Sequence, residues 1–201
     1  MASENLYVVK RSLLDLHNPS RPVYDIALPA TFTDLKAAKQ YTKHVLPKEG
    51  YDTKFFPVYD IKDLSSHWTH EDGVMVYAEG PSDEIFKVGI DTVPNLAGLE
   101  GKGSTGQITE PLHHVVQTVV EYNDDRSGSR RYSIVEGTYT NSDAARERAL
   151  KVLLEGGTAK EEFVEYEEYL DGTEGPFGPD VIVHAVQDGG LNVLVSVISS
   201  E

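Results

Sequence analysis

Thr31-Phe-Thr-Asp-Leu-Lys-Ala-Ala-Lys39 and Thr138-Tyr-Thr-Asn-Ser-Asp-Ala-Ala-Arg146 are one phrase written twice, 107 residues apart. Each opens with a hydroxyl-rich turn and runs into alanines, the pattern of a helix start. Thr33 and Thr140 are the expected caps, with Asp143 placed three residues after Thr140 as a capping-box partner. Beyond the start, Ala38, Thr42, Val45 and Leu46 fall at i, i+4, i+7 and i+8, as do Ala145, Ala149, Val152 and Leu153. That spacing predicts one amphipathic helix per copy, its apolar stripe facing a sheet. Pro47 and Gly50 are expected to end the first helix, and Gly156-Gly157 the second.

Working outward, the same shift of 107 places Val8-Val9 on Val115-Val116, Phe56 on Phe163 and Tyr59 on Tyr166. It also places Val74, Val76, Ala78 and Val88 on Val181, Val183, Ala185 and Val195, with no gap required. Matches concentrated at apolar and turn positions are what a duplicated core leaves behind. Each copy reads as strand, strand, helix and three strands. The first strands are expected near 6–16 and 112–122, and the second near 23–28 and 131–137, across polar hairpin turns. Strict alternation in Val74/Val76/Ala78 and Val181/Val183/Ala185 predicts antiparallel sheet with one face covered. The expected fold is α+β: a tandem duplication of a ββαβββ unit, one helix packed on an antiparallel sheet in each copy. The boundaries implied are a first repeat at 1–93, a Gly-rich linker at 94–111 and a second repeat at 112–201. Duplication favours packing of the copies about a pseudo-two-fold axis.

The 201 residues contain 39% hydrophobic and 25% charged side chains, enough to build an ordinary globular core. Net charge is −15, with 10 basic and 15 acidic groups in residues 1–100 against 8 and 18 in 101–201. Such acidity repels phosphate backbones, so no nucleic-acid partner is expected. No apolar run approaches the ~18 residues that span a bilayer, and no membrane partner is expected. The stretch 1–16 lacks an apolar secretory core, and the chain has no cysteine; both favour a cytoplasmic location. Zero cysteines also exclude disulfides, thiolate catalysis and cysteine-held metals.

Chemistry-bearing motifs are few. Gly101-Lys-Gly-Ser-Thr-Gly106 matches G-x-G-x-x-G, but it leads into a strand, whereas a dinucleotide loop must open a helix. It reads as linker. His67-Trp-Thr-His-Glu-Asp72 is the most suggestive segment, since paired imidazoles and carboxylates suit a divalent metal or acid–base work. No third ligand is identifiable, and the second copy has Glu174-Gly-Pro-Phe-Gly-Pro179 there, so no metal is assigned. His67, Trp68, His70 and Glu71 remain the candidate ligand- or partner-binding residues, with Trp68 a contact aromatic or pocket lid. His113-His114 lies on a strand, which sends the two rings to opposite faces. The acidic, aromatic run at 161–171 suits a charged edge strand. No catalytic residue and no cofactor is assigned.

The two helix-start phrases, each followed by a Tyr/Glu-rich strand, resemble those of uncharacterised, largely fungal, small α+β proteins. The resemblance covers about the middle third of each copy and implies no activity. The sequence therefore supports a non-catalytic intracellular binding or protein-interaction module. Its partner is a protein or a small molecule, with homo-oligomer formation left open. Two alternatives stand beside it: a small-molecule-binding protein or enzyme with a site at the repeat interface, and an acidic mimic that competes for basic surfaces.

Overall fold

The computed structural model describes residues 3–18, 22–63, 68–123, 125–169 and 175–200. The chain divides into two units, Met1–Thr109 and Glu110–Glu201. In the first, β1 (Asn5–Asp15), β2 (Val23–Phe32), β3 (Val58–Ile61), β4 (Val74–Glu79) and β5 (Glu84–Pro94) form an antiparallel sheet in the order β2-β1-β5-β4-β3. The helices α1 (Leu35–Thr42) and α2 (Val45–Lys48) follow β2. In the second unit, β6 (Leu112–Glu121), β7 (Arg131–Tyr139), β8 (Glu165–Glu168), β9 (Val181–Val186) and β10 (Leu191–Ser200) repeat the order as β7-β6-β10-β9-β8. Its helix is α3 (Ser142–Ala149). The fold is α+β, with two similar halves. Among the described residues no helix is long and apolar enough to cross a membrane.

Each helix buries the predicted stripe. Ala38, Thr42, Val45 and Leu46 are all 1% exposed or less, packed with Val76, Ala78, Phe86 and Val88 of the sheet. Ala145, Ala149 and Val152 play the same part against Val115, Val183 and Val195. The stripe is nonetheless not one continuous helix. α1 stops at Thr42 and α3 at the matching Ala149, short of Gly156-Gly157, although Leu154 stands where Pro47 does. The break belongs to both copies and does not depend on Pro47, which lacks an N–H donor. The chain then starts a fresh turn in α2, where the missing donor costs nothing. Gly50, at φ +95°, closes that turn with its N–H on the Pro47 carbonyl.

The caps differ from the expected ones by one residue. Asp34, not Thr33, accepts the Ala37 amide at 2.6 Å. Asn141, not Thr140, accepts the amides of Asp143 and Ala144 at 2.8 and 3.1 Å. Thr33 is diverted elsewhere: its hydroxyl donates to the Gly106 carbonyl at 3.1 Å. Replacing Asp34 or Asn141 with Ala should lower stability by about 1 kcal/mol each. Thr140→Ala, at an exposed position, should change it by no more than about 0.5 kcal/mol. Urea midpoints for the three variants decide the assignment, and a Thr140 effect as large as the Asn141 effect would reverse it.

Strand pairing also corrects the gapless alignment. Val9 sits between Ala30 and Ile90, and Val115 sits between Gly137 and Val197. The counterpart of Val9 is therefore Val115 rather than Val116, and that of Val8 is His114. From β2 and β7 onward the shift returns to 107 residues, so the second hairpin carries one extra residue. In a sheet of period two, one residue of slip exchanges the faces. Val9 and Val115 both enter helix-side cores, as this pairing requires.

The glycine-rich segment after β5 is tied to the first unit. The Thr33 and Ile108 amides donate to the carbonyls of Gly106 and Thr31, and Leu99 and Ile108 are buried. A Cβ on Gly101 would fall 2.2 Å from the Gly106 carbonyl oxygen. Backbone contact at Gly101 and the approach of the Thr33 side chain to Gly106 account for those two glycines without a phosphate.

Candidate functional site

The helix covers one face of each sheet, so residues alternating with the core positions of β3, β4 and β5 point the other way. Asp60, Tyr77 and Lys87 are cross-strand neighbours and form a row on that helix-free face. The loop before β4 lays more rings on the row. His70 stacks on Tyr77, with centroids 3.9 Å apart and planes within 13°. Trp68 meets the His70 ring edge-on at 4.7 Å. The Glu71 carbonyl accepts both the Trp68 indole N–H and the Val74 amide, which pins the loop to the strand.

Polar contacts orient the rings. His70 Nε2 lies 2.9 Å from Asp60 Oδ2, and the Tyr77 hydroxyl donates to Glu79 Oε1 at 2.8 Å. Burial, reinforced by Glu79, pushes the Tyr77 phenol up to about 12, so it remains a neutral donor. Lys87 pairs with Glu71, and Lys62 Nζ stands 5.8 Å from the Trp68 ring centre. Together Thr69, His70, Glu71, Tyr77, Ile85 and Lys87 line an open depression of about 250 Å³.

Three of the four residues singled out in the sequence, Trp68, His70 and Glu71, thus come together on this surface. His67 lies outside the described residues. Tyr77, Asp60 and Lys87 were missed, although strand alternation opposite Val76 and Ala78 placed Tyr77 on the free face. Among the described residues no group of three or more metal-type ligands occurs. His113 and His114 diverge as alternation requires: His113 Nδ1 lies 2.8 Å from Ser199 Oγ at the surface, while His114 is fully buried.

The second unit keeps the ring arrangement but redistributes its residues. Phe177 stands where His70 does, and His184 where Tyr77 does. The two rings lie 4.3 Å apart at 36°. The imidazole has moved from the loop to the strand, and the aromatic carbocycle from the strand to the loop. A second exchange accompanies the first: Lys62 and Trp68 correspond to Tyr169 and Gly175. A Cβ on Gly175 would lie 2.8 Å from the Tyr169 ring, which therefore fills the space beside that position. Asp60 corresponds to Glu167, which accepts the Tyr169 hydroxyl at 2.7 Å. Among the described residues, each of these two surfaces sets three rings beside a carboxylate on the third strand of its unit.

No family model matches the chain, and no curated protein or solved structure was found to match it.

Proposed function

We propose that the chain is a non-catalytic intracellular binding module whose contact face in the first unit is the helix-free surface around Trp68, His70 and Tyr77. The observation that carries this reading is the ring stack beside an open depression. Rigid, amphipathic rings supply contact area at small entropic cost. An open, shallow site suits a surface contact more than chemistry that requires exclusion of water. His70 is committed to Asp60 and to its stack on Tyr77, so its imidazole serves as a structural part of the platform. The cysteine-free composition supports a working place in the cytoplasm.

Absence of cysteine makes the test simple. Thr69→Cys, on the rim of the depression, and Lys36→Cys, on α1, each accept a photo-crosslinker at one site. After irradiation in cell extract, Thr69→Cys should give discrete adducts that Lys36→Cys does not. Adding His70→Ala and Tyr77→Ala should lower their yield about fivefold or more, the effect of removing anchor rings. An adduct of twice the chain's mass identifies a second copy as the partner. Equal adducts from both positions, or no change on removing the rings, would refute the assignment.

A further inference from the structure

We propose that the second unit carries a separate receptor for a cationic side chain, an arginine on an exposed segment of a partner protein, formed by Tyr169, Phe177, Glu165 and Glu167. It is distinct from the first unit's contact face and rests on a difference between the two.

In the first unit the rings are already served by the chain's own cations. Lys62 stands over Trp68, and Lys87 neutralises Glu71 across the depression. In the second unit both lysine positions are uncharged: Tyr169 replaces Lys62 and Leu194 replaces Lys87. The carboxylate of the third strand is kept as Glu167, and a second is added where Val58 has become Glu165. Both are exposed and alternate with Tyr166, which packs toward the helix, so they share the helix-free face with His184.

The rings are accessible as well. Phe177 is 43% exposed, large for a phenylalanine, and its centroid lies 6.4 Å from that of Tyr169 at 56°. Phe177 is backed by His184, whose Nε2 is 3.0 Å from Asn192 Oδ1, so the platform is braced from beneath. Glu167 touches the same platform through the Tyr169 hydroxyl. Exposed aromatic faces beside carboxylates lacking the first unit's lysines attract a cation twice, through the ring quadrupole and through charge. Arginine fits better than lysine. Its planar guanidinium stacks on a ring while its edge N–H groups reach a carboxylate, and it is the more easily desolvated. A net charge of −15 steers basic segments toward the chain.

The test uses the full chain and a fluorescein-labelled Gly-Arg-Gly-Arg-Gly peptide, followed by anisotropy at low salt. A second peptide carries citrulline, which keeps the shape and removes the charge. The arginine peptide should bind, and weaken as salt is raised. Phe177→Ala, and Glu165→Gln with Glu167→Gln, should each weaken it about tenfold. Trp68→Phe with Glu71→Gln, in the first unit, should leave binding within about twofold of the unaltered chain. Unchanged circular dichroism in the exposed-site variants guards against misfolding. Equal binding of the citrulline peptide, indifference to Phe177→Ala and the paired Glu changes, or loss on altering Trp68 and Glu71 would each overturn the proposal.

Discussion

Phe86→Ala should destabilise the first unit by about 3–5 kcal/mol, the range for deleting a buried phenylalanine. Phe86 is 2% exposed and stands at the centre of an aromatic cluster. Its ring meets Tyr51 at 5.0 Å and Phe56 at 5.3 Å, both edge-on, and Phe56 in turn meets Tyr59 at 5.4 Å. The substitution therefore removes apolar burial, two ring contacts and a member of the core shared with Ala38, Val45 and Leu46 together. Because Trp68 is the only tryptophan, its fluorescence reports unfolding of the first unit. The denaturant midpoint read from it should fall sharply. The counterpart in the second unit, Val193, is as deeply buried but aliphatic, so Val193→Ala should cost less. A loss below about 1.5 kcal/mol for Phe86→Ala would show that the cluster collapses around the gap, contrary to close packing.

His114 should make the protein sensitive to mild acid. It occupies the position of Val8 on the helix-free face, fully buried. Its Nδ1 lies 3.0 Å from Thr138 Oγ1, and among the described residues its buried Nε2 has no hydrogen-bond partner. The sound tautomer has Nδ1–H donating to Thr138, leaving a bare lone pair rather than an orphaned donor. Burial first, and the neighbouring His113 second, push its pKa from 6.5 to about 4. Between those values the unfolded chain takes up the proton and the folded chain does not. Stability from this group is therefore complete above pH 6.5 and declines as pH falls, levelling off near 4. At ~1.36 kcal/mol per pH unit the loss approaches about 3 kcal/mol. Carboxylates titrate in the same range, so the comparison is with His114→Gln, which cannot titrate there. The stability difference between the two proteins should change by about 3 kcal/mol from pH 7 to pH 4. Parallel pH curves would mean that the imidazole is not held neutral.

Much of this molecule is legible without coordinates, for identifiable reasons. The helix stripe and the alternation of β4 and β9 are local periodicities, so reading them requires only chain geometry. The duplication shows because a core constrains many positions at once. What escaped was relational. A gapless shift hid the single extra residue in the second hairpin, since Val115 and Val116 are both valines and either can be aligned with Val9. With it went the finding that His114 replaces an apolar residue. The caps were missed by one place because Thr33 and Asp34 can both accept an amide, and only Gly106, far along the chain, draws Thr33 away. At the candidate site, Trp68, His70 and Glu71 were visible as a short motif, whereas Asp60 and Lys87 join them only through strand pairing. The ring platform of the second unit was invisible to position-by-position comparison. Read singly, His70 becomes phenylalanine and Trp68 becomes glycine, which looks like loss.

The traded rings set a rule for anyone who averages the two halves into one idealised repeat. A consensus drawn column by column can write histidine at both members of the pair, or at neither. It can likewise write two bulky rings, or a lysine beside a glycine, where each natural half has one ring and one smaller or flexible group. Such hybrids combine halves of two different solutions, crowding the sheet or leaving it bare. Heritable information at this surface resides in couples of residues, and swapping between the halves has to move each couple whole.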